Sequence, residues 1–261
     1  MSITNPVRST ITRPRQGLRF GALAVTIGAF AGLSGLVAPT VSAQETHDVG
    51  GAIAVEYEAA AADNNQPPAM FFGPATTREL AAARGGQWQD FTNGNNAIYW
   101  HPLVSDGRAN QIGGAVRDKW GTVENEAGDA WEHGPLRYPT TREWSSRESR
   151  VSGEIARGNH FEGGTIYSVP DQGTFVVWGE IRRAWWGLEA ESSRLGLPVS
   201  DERVTDDGWI QDFEGGTIEF RDGRAAVNLN DQAPPPDPGE PGFDLEEFLG
   251  DLIAQSVEGF S

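Results

Sequence analysis

The sequence predicts an α+β fold made of tandem units: three β-hairpins, two helices between them, and a separate amphipathic helix at the C-terminal end. Three observations lead there. The string Phe161-Glu162-Gly163-Gly164-Thr165-Ile166 recurs unchanged as Phe213-Glu214-Gly215-Gly216-Thr217-Ile218, and a looser copy runs from Phe91-Thr92-Asn93-Gly94 to Ile98. A shift of 65 residues also superposes Pro74 on Pro139, Ile112 on Val177, Val116 on Ile181 and Trp120 on Trp185. Each copy leads into a short apolar run and a glycine turn. Self-similarity at a fixed spacing marks stacked units, none of which can bury its apolar face alone.

The elements follow in chain order. Residues 1–43 carry Arg8, Arg13, Arg15 and Arg19 and no acid, then an uncharged apolar run and Val41-Ser42-Ala43. That order reads as a secretory signal peptide cleaved after Ala43, with no stable membrane insertion of the remaining chain. Residues 44–67, with Ala59-Ala60-Ala61-Ala62 and a polar run to Pro68, read as a flexible linker. The repeat region spans 68–230. Within it Ile98-Tyr99-Trp100, Ile166-Tyr167-Ser168 and Ile218-Glu219-Phe220 are strand-like, and turns are expected at Asp106-Gly107, Asp171-Gln172-Gly173 and Asp222-Gly223. Val116, Trp120 and Val123, like Ile181, Trp185 and Leu188, recur at helical spacing, which places a helix after each of the first two hairpins. The pairs Gly163-Gly164 and Gly215-Gly216 are expected to let the backbone turn into the hairpin. Residues 231–242, rich in proline, form a stiff spacer because proline lacks an amide donor. Residues 243–261 place Leu245, Phe248, Leu249, Leu252 and Ile253 on one face of an acidic amphipathic helix.

Composition excludes several functions. The 261 residues contain no Cys, so there is no disulfide framework and no thiolate chemistry. With 37 acidic against 20 basic residues and a formal charge of -17, the chain lacks the cationic surface that nucleic-acid binding requires. No nucleophile elbow, zinc-helix motif, phosphate loop or dinucleotide fingerprint occurs. His47, His101, His133 and His160 are scattered, so no metal site and no cofactor are expected. Asp206-Asp207 is most simply a turn.

Leu195-Gly196-Leu197-Pro198 with Ser200-Asp201-Glu202, followed by the Phe213 to Ile218 string and the segment Val116-Arg117-Asp118-Lys119-Trp120, closely resembles the LGFP repeat of secreted actinobacterial proteins. The resemblance covers 68–230. It implies a secreted, cell-wall-associated protein held to the envelope polysaccharide of mycolic-acid-bearing bacteria, where such repeats stand alone or are appended to enzymes. Here the first unit has Phe71-Phe72-Gly73-Pro74 in place of the signature, and no catalytic domain accompanies the repeats.

A non-catalytic, arabinogalactan-like polysaccharide binder is therefore the expectation. Its rivals are a protein-interaction scaffold using residues 243–261 as the protein-partner site, and a wall hydrolase with an unrecognised site. All nine tryptophans lie between Trp88 and Trp209, inside the repeats. An indole can fill a core or lie flat on the apolar face of a sugar. Trp120 and Trp185 recur at one helical position, as core residues would. Trp186, where the other unit has Gly121, Trp178, where it has Gly113, and Trp100, opposite Ser168 and Phe220, are not required by the repeat. These three, with Tyr99 and Tyr167 on the adjoining runs, are the candidate carbohydrate-binding aromatics. Asp90 and Asp212, each immediately before the repeated Phe, are the candidate acceptors for sugar hydroxyls.

Overall fold

A computed structural model describes residues 46–230. The signal-peptide segment, the Pro-rich spacer and the C-terminal amphipathic segment lie outside the described residues. The chain forms α1 (Gly51–Asp63) and the single turn α2 (Pro68–Phe71), then β1 (Leu80–Ala81), β2 (Gln87–Asp90), β3 (Ala97–Trp100) and β4 (Asn110–Ile112). Next come α3 (Gly114–Trp120), β5 (Trp144–Ser145), β6 (Arg157–His160), β7 (Gly164–Val169), β8 (Gly173–Trp178) and α4 (Gly179–Gly187). The last sheet contains β9 (Arg203–Val204), β10 (Gly208–Phe213), β11 (Gly216–Arg221) and β12 (Arg224–Leu229). Each group of four strands is one antiparallel meander in chain order, so the expected α+β tandem repeat holds and the hairpins are the last two strands of each sheet.

Residues 44–67 are not the flexible linker that their composition suggested. Alanine has the highest helix propensity of any residue, and Ile53, Ala60 and Ala61 of α1 are buried in a core with Phe72, Phe91 and Ile98. The helix is also a partial repeat. Gly50-Gly51-Ala52-Ile53 and Tyr57 match Gly113-Gly114-Ala115-Val116 and Trp120 at a shift of 63. Gly51, Gly114 and Gly179 each open a helix at φ of 53, 49 and 55°, a left-handed conformation that only glycine adopts without strain. Tyr57 lies 5.3 Å from Phe91, Trp120 5.3 Å from Phe161 and Trp185 5.2 Å from Phe213. Each helix thus packs on the sheet that follows it, and three helices serve three sheets. The sequence reading, which paired each helix with the preceding hairpin, has the phase reversed, although Trp120 and Trp185 also touch Tyr99 and Tyr167 of the preceding sheets.

The helices α3 and α4 stop earlier than the apolar spacing indicated. Val123 and Leu188 lie past their ends yet still pack against the cores as partly buried residues. Trp120 and Trp185 are fully buried, in agreement with the core role read from their repetition.

A carboxamide staples each unit to the one before. Gln89, Asn159 and Gln211 occupy the same place on β2, β6 and β10 and are fully buried. Gln89 donates to Thr77 O and to Asp48 O, Asn159 to Thr141 O and Gln111 O, and Gln211 to Ser200 O and Val176 O, all at 2.8–3.0 Å. One hydrogen goes to the unit's own loop and the other to the strand, or strand-like segment, of the preceding unit. Buried amides must find partners, and these bonds fix the stacking register.

The Phe-Glu-Gly-Gly-Thr string has a local cause. Glu162 accepts the N–H of Tyr138 at 3.1 Å and Glu214 that of Leu197 at 2.8 Å. The 65-residue shift set Pro74 on Pro139, but the bridges Ala75–Phe91 and Pro139–Phe161 put Pro74 at the place of Tyr138; it has no N–H to satisfy, and Thr92 stands in place of the Glu, its hydroxyl donating to Pro74 O. The second glycine requirement differs from the expectation. Gly163 and Gly215 are not in the left-handed region. A Cβ there would come within 2.2 Å of Pro135 O or 1.9 Å of Arg194 O, so close backbone approach excludes any side chain.

Candidate functional site

The second unit carries an open hollow of about 410 Å³ between β5, β6, β7 and the end of α4. Its aromatic wall is Trp144, His160, Tyr167 and Trp186. The His160 ring lies between the two indoles, 4.8 Å from Trp144 and 5.2 Å from Trp186. Ser145, Ser146, Arg147, Glu189 and Glu191 complete the lining. Arg182 stacks on Trp186 with its guanidinium carbon 3.6 Å from the ring centroid, and its Nε donates to Thr165 Oγ1 at 2.9 Å. Such a cation over an indole face is attractive and fixes the ring plane. Burial, reinforced by the Arg182 charge, pushes His160 down to about 4, so the ring is neutral at pH 7. Burial, then Glu191, raises the Tyr167 hydroxyl above its ordinary value, although the Trp186 indole hydrogen-bonds to it.

The same place in the first unit is built by exchange of large and small residues. Trp88 on β2 stacks on Tyr99 at 5.6 Å, where the second unit has Gly158 and leaves room for Trp144 from β5. Trp131 lies over Gly121 and Trp120, where the second unit carries Trp186 on the helix and Ala190 in the turn. Arg117 sits 6.0 Å from the Trp88 ring and 5.7 Å from that of Trp131, and it pairs with Asp90 at 2.6 Å. Its counterpart Arg182 has no ion pair among the described residues. In the third unit the positions of Trp144, His160 and Tyr167 are held by Arg203, Asp212 and Glu219.

Comparison with protein-family models matches the LGFP repeat over residues 72–128, 136–193 and 195–230. The chain belongs to the LGFP repeat family. No curated protein matches it. The three matched segments of this LGFP protein are the three units of the structure, and α1 precedes the first of them.

The residues singled out from the sequence of this LGFP protein divide into groups. Tyr99 and Tyr167 are buried in the cores on either side of the second sheet and offer no free ring face. Trp100 is half-buried and its indole donates to Gly107 O at 2.8 Å, closing its own loop. Trp178 packs against a core and hydrogen-bonds to Glu202. Asp90 is engaged by Arg117, and Asp212 is held by Arg203 at 2.5 and 3.1 Å, which lowers the Asp212 carboxyl below its ordinary value. Of the seven only Trp186 is exposed, at 40%; it faces the hollow, and the buried Tyr167 contributes to the hollow's wall beside it. The structure does not gather these seven into one place. Trp144 and His160, which sequence reasoning passed over as a variable connection and a scattered histidine, are the residues it brings to Trp186. A signal existed: Trp144 and Gly158 together invert the Leu80 and Trp88 of the first unit, but only the strand register reveals the pairing.

Proposed function

We propose that this LGFP protein is exported, has no catalytic activity, and holds to a largely neutral, arabinogalactan-like polysaccharide of the cell envelope through exposed aromatic side chains. The observation that carries the reading is that each unit leaves one indole exposed by more than a third: Trp131, Trp186 and Trp209, at 36, 40 and 44%. Large aromatics are ordinarily consumed by the core of so small a unit, and an amphipathic ring left at the surface suits the alternating apolar faces and hydroxyls of sugars. Repetition suits a polymer, because contacts in tandem add avidity.

Charge narrows the ligand. A chain at -17, made more acidic by loss of the four arginines of the signal peptide, is repelled by phosphate-rich or uronic polymers. The carboxylates of the units are largely committed to structure, as in Glu162, Glu214, Asp90 and Asp212, which supports a binding role over a hydrolytic one. Cleavage after Ala43 leaves α1 intact, and no helix of the described residues is long and apolar enough to cross a membrane.

Co-sedimentation with purified arabinogalactan tests the reading. Binding is expected to change little between low and moderate salt and to survive a chelator, since no ion attraction is involved. Absence of binding under every salt condition overturns it and favours a scaffold acting through residues 243–261. Release of soluble sugar from the polymer favours a hydrolase.

A further inference from the structure

We propose that the hollow of the second unit is the sugar subsite of this protein, and that it takes one uncharged sugar ring against the wall formed by Trp144, His160 and Trp186. This rests on the glycan-binding reading above and adds to it a location, a ligand charge and an inequality among the three units.

Geometry comes first. A volume of about 410 Å³ falls within the range of small-ligand pockets. Two indoles separated by the His160 ring supply apolar surface for the C–H face of a sugar, and Ser145, Arg147 and Glu189 at the rim supply donors and acceptors for its hydroxyls. Sugar sites combine these two features because a sugar ring has an apolar face and a polar edge. The Trp144 indole N–H is buried and, among the described residues, has no hydrogen-bond partner. Among the aromatic walls, Trp186 is pinned by Arg182 over its face and by the edge-on His160 ring, so its plane is set before any ligand arrives.

Comparison of units supplies the second argument. The positions of Trp144, His160 and Tyr167 read Leu80, Asp90 and Tyr99 in the first unit, and Arg203, Asp212 and Glu219 in the third. An ion pair stands in each of those units, Asp90 with Arg117 and Asp212 with Arg203, where the second unit keeps a neutral His160. The exposed indoles there also pack on aromatic rings of their own unit, Trp131 edge-on to Trp120 at 5.3 Å and Trp209 tilted against Phe220 at 6.0 Å. An anionic ligand is disfavoured because Arg147, the one cation of the lining, is paired with Glu191, and Glu189 leaves the rim acidic in a chain that is strongly acidic overall.

The test is an NMR titration of the full mature chain, labelled with nitrogen-15, with neutral oligosaccharides released from purified arabinogalactan. The Trp144 and Trp186 indole N–H signals, assigned from Trp144→Phe and Trp186→Phe, are expected to shift on binding, and those of Trp131 and Trp209 to stay. Affinity for these short oligosaccharides should fall by roughly tenfold or more in Trp186→Ala and in His160→Asp, and remain within about twofold of wild type in Trp131→Ala and Trp209→Ala, whose indoles add avidity for the intact polymer only. Trp186 is exposed, so its truncation keeps the test valid even if a Trp144 variant fails to fold. Binding by the wild type that moves other indoles, or that Trp186→Ala leaves unchanged, overturns the subsite while the glycan reading stands. Tighter binding of uronic-acid oligosaccharides overturns the uncharged ligand. No binding of any oligosaccharide or of the intact polymer overturns both readings.

Discussion

Trp185 and Trp186 are adjacent in sequence and opposite in role. Trp185 is fully buried and donates to Gly196 O at 3.1 Å, so Trp185→Ala is expected to cost about 3–5 kcal/mol by the usual range for a large core truncation. Trp186→Ala should cost less than about 1 kcal/mol, as surface substitutions commonly do. Urea unfolding of the two variants checks both values. His160 gives a pH signature. Its folded pKa of about 4 lies below the ordinary 6.5, so between those values the unfolded chain takes up a proton that the folded chain refuses. Its contribution to stability is full above pH 6.5 and is lost as the pH falls toward 4. The melting temperature of His160→Gln should therefore decline less than that of wild type over this window. Equal slopes in differential scanning calorimetry would contradict the burial of a neutral ring at this position.

Among the elements, α1 and α3 show one interaction written with reversed charges. On α1, Glu56 pairs with Arg142 from the loop of the second unit, and its carboxylate also accepts the N–H of Gln111 at 3.0 Å. At the equivalent helical position α3 carries Lys119, which pairs with Asp201 from the loop of the third unit, and there Asp201 accepts the N–H of Val176 at 2.8 Å. In both cases a carboxylate satisfies the same strand amide and meets a cation across the unit boundary. Lys119→Glu sets two carboxylates together and is expected to destabilise by about 1–2 kcal/mol, given the partial exposure of the pair. The double variant Lys119→Glu with Asp201→Arg recreates the α1 arrangement and should recover most of that loss. A double-mutant cycle measures the coupling, and full additivity of the two single changes would refute the equivalence.

Across the molecule, the units form a line in which each helix covers the next sheet. Among the described residues no full unit precedes the first sheet, and α1 supplies the missing helix, covering Phe72, Phe91 and Ile98. At the other end the ion pairs Arg203–Asp212 and Arg221–Glu219 accompany the third sheet, with Glu219 where the earlier units carry a buried tyrosine. Stacked-unit proteins depend on such ends, because an uncovered sheet exposes its core face. A chain that begins at Gln66 is accordingly expected to lose more than about 10 °C in melting temperature or to aggregate, since the removed helix buries a cluster of several aromatic and aliphatic side chains. A linker in its place would leave the melting temperature unchanged.

The sequence by itself determined the repeat, the α+β class, the family and the core role of Trp120 and Trp185, because side chains that serve the same local contact in every unit must recur at the same spacing. Phe161-Glu162-Gly163-Gly164 is legible for that reason, whereas the Pro74 that removes the need for its glutamate was read one place off and is set only by the bridge from Ala75 to Phe91. The phase of the units was not legible: α1 diverges from α3 everywhere except Gly50-Gly51-Ala52-Ile53 and Tyr57, and only packing shows that it stands in for a preceding unit. Nor was the hollow. Trp144, His160 and Trp186 come from a strand edge, a strand and a helix, and the aromatic bulk they carry is traded between non-adjacent positions, Leu80 and Trp88 for Trp144 and Gly158, Gly121 and Trp131 for Trp186 and Ala190. Such exchanges conserve filled space and abandon residue identity, so strand pairing and packing alone decide which indoles line a cavity and which close a core.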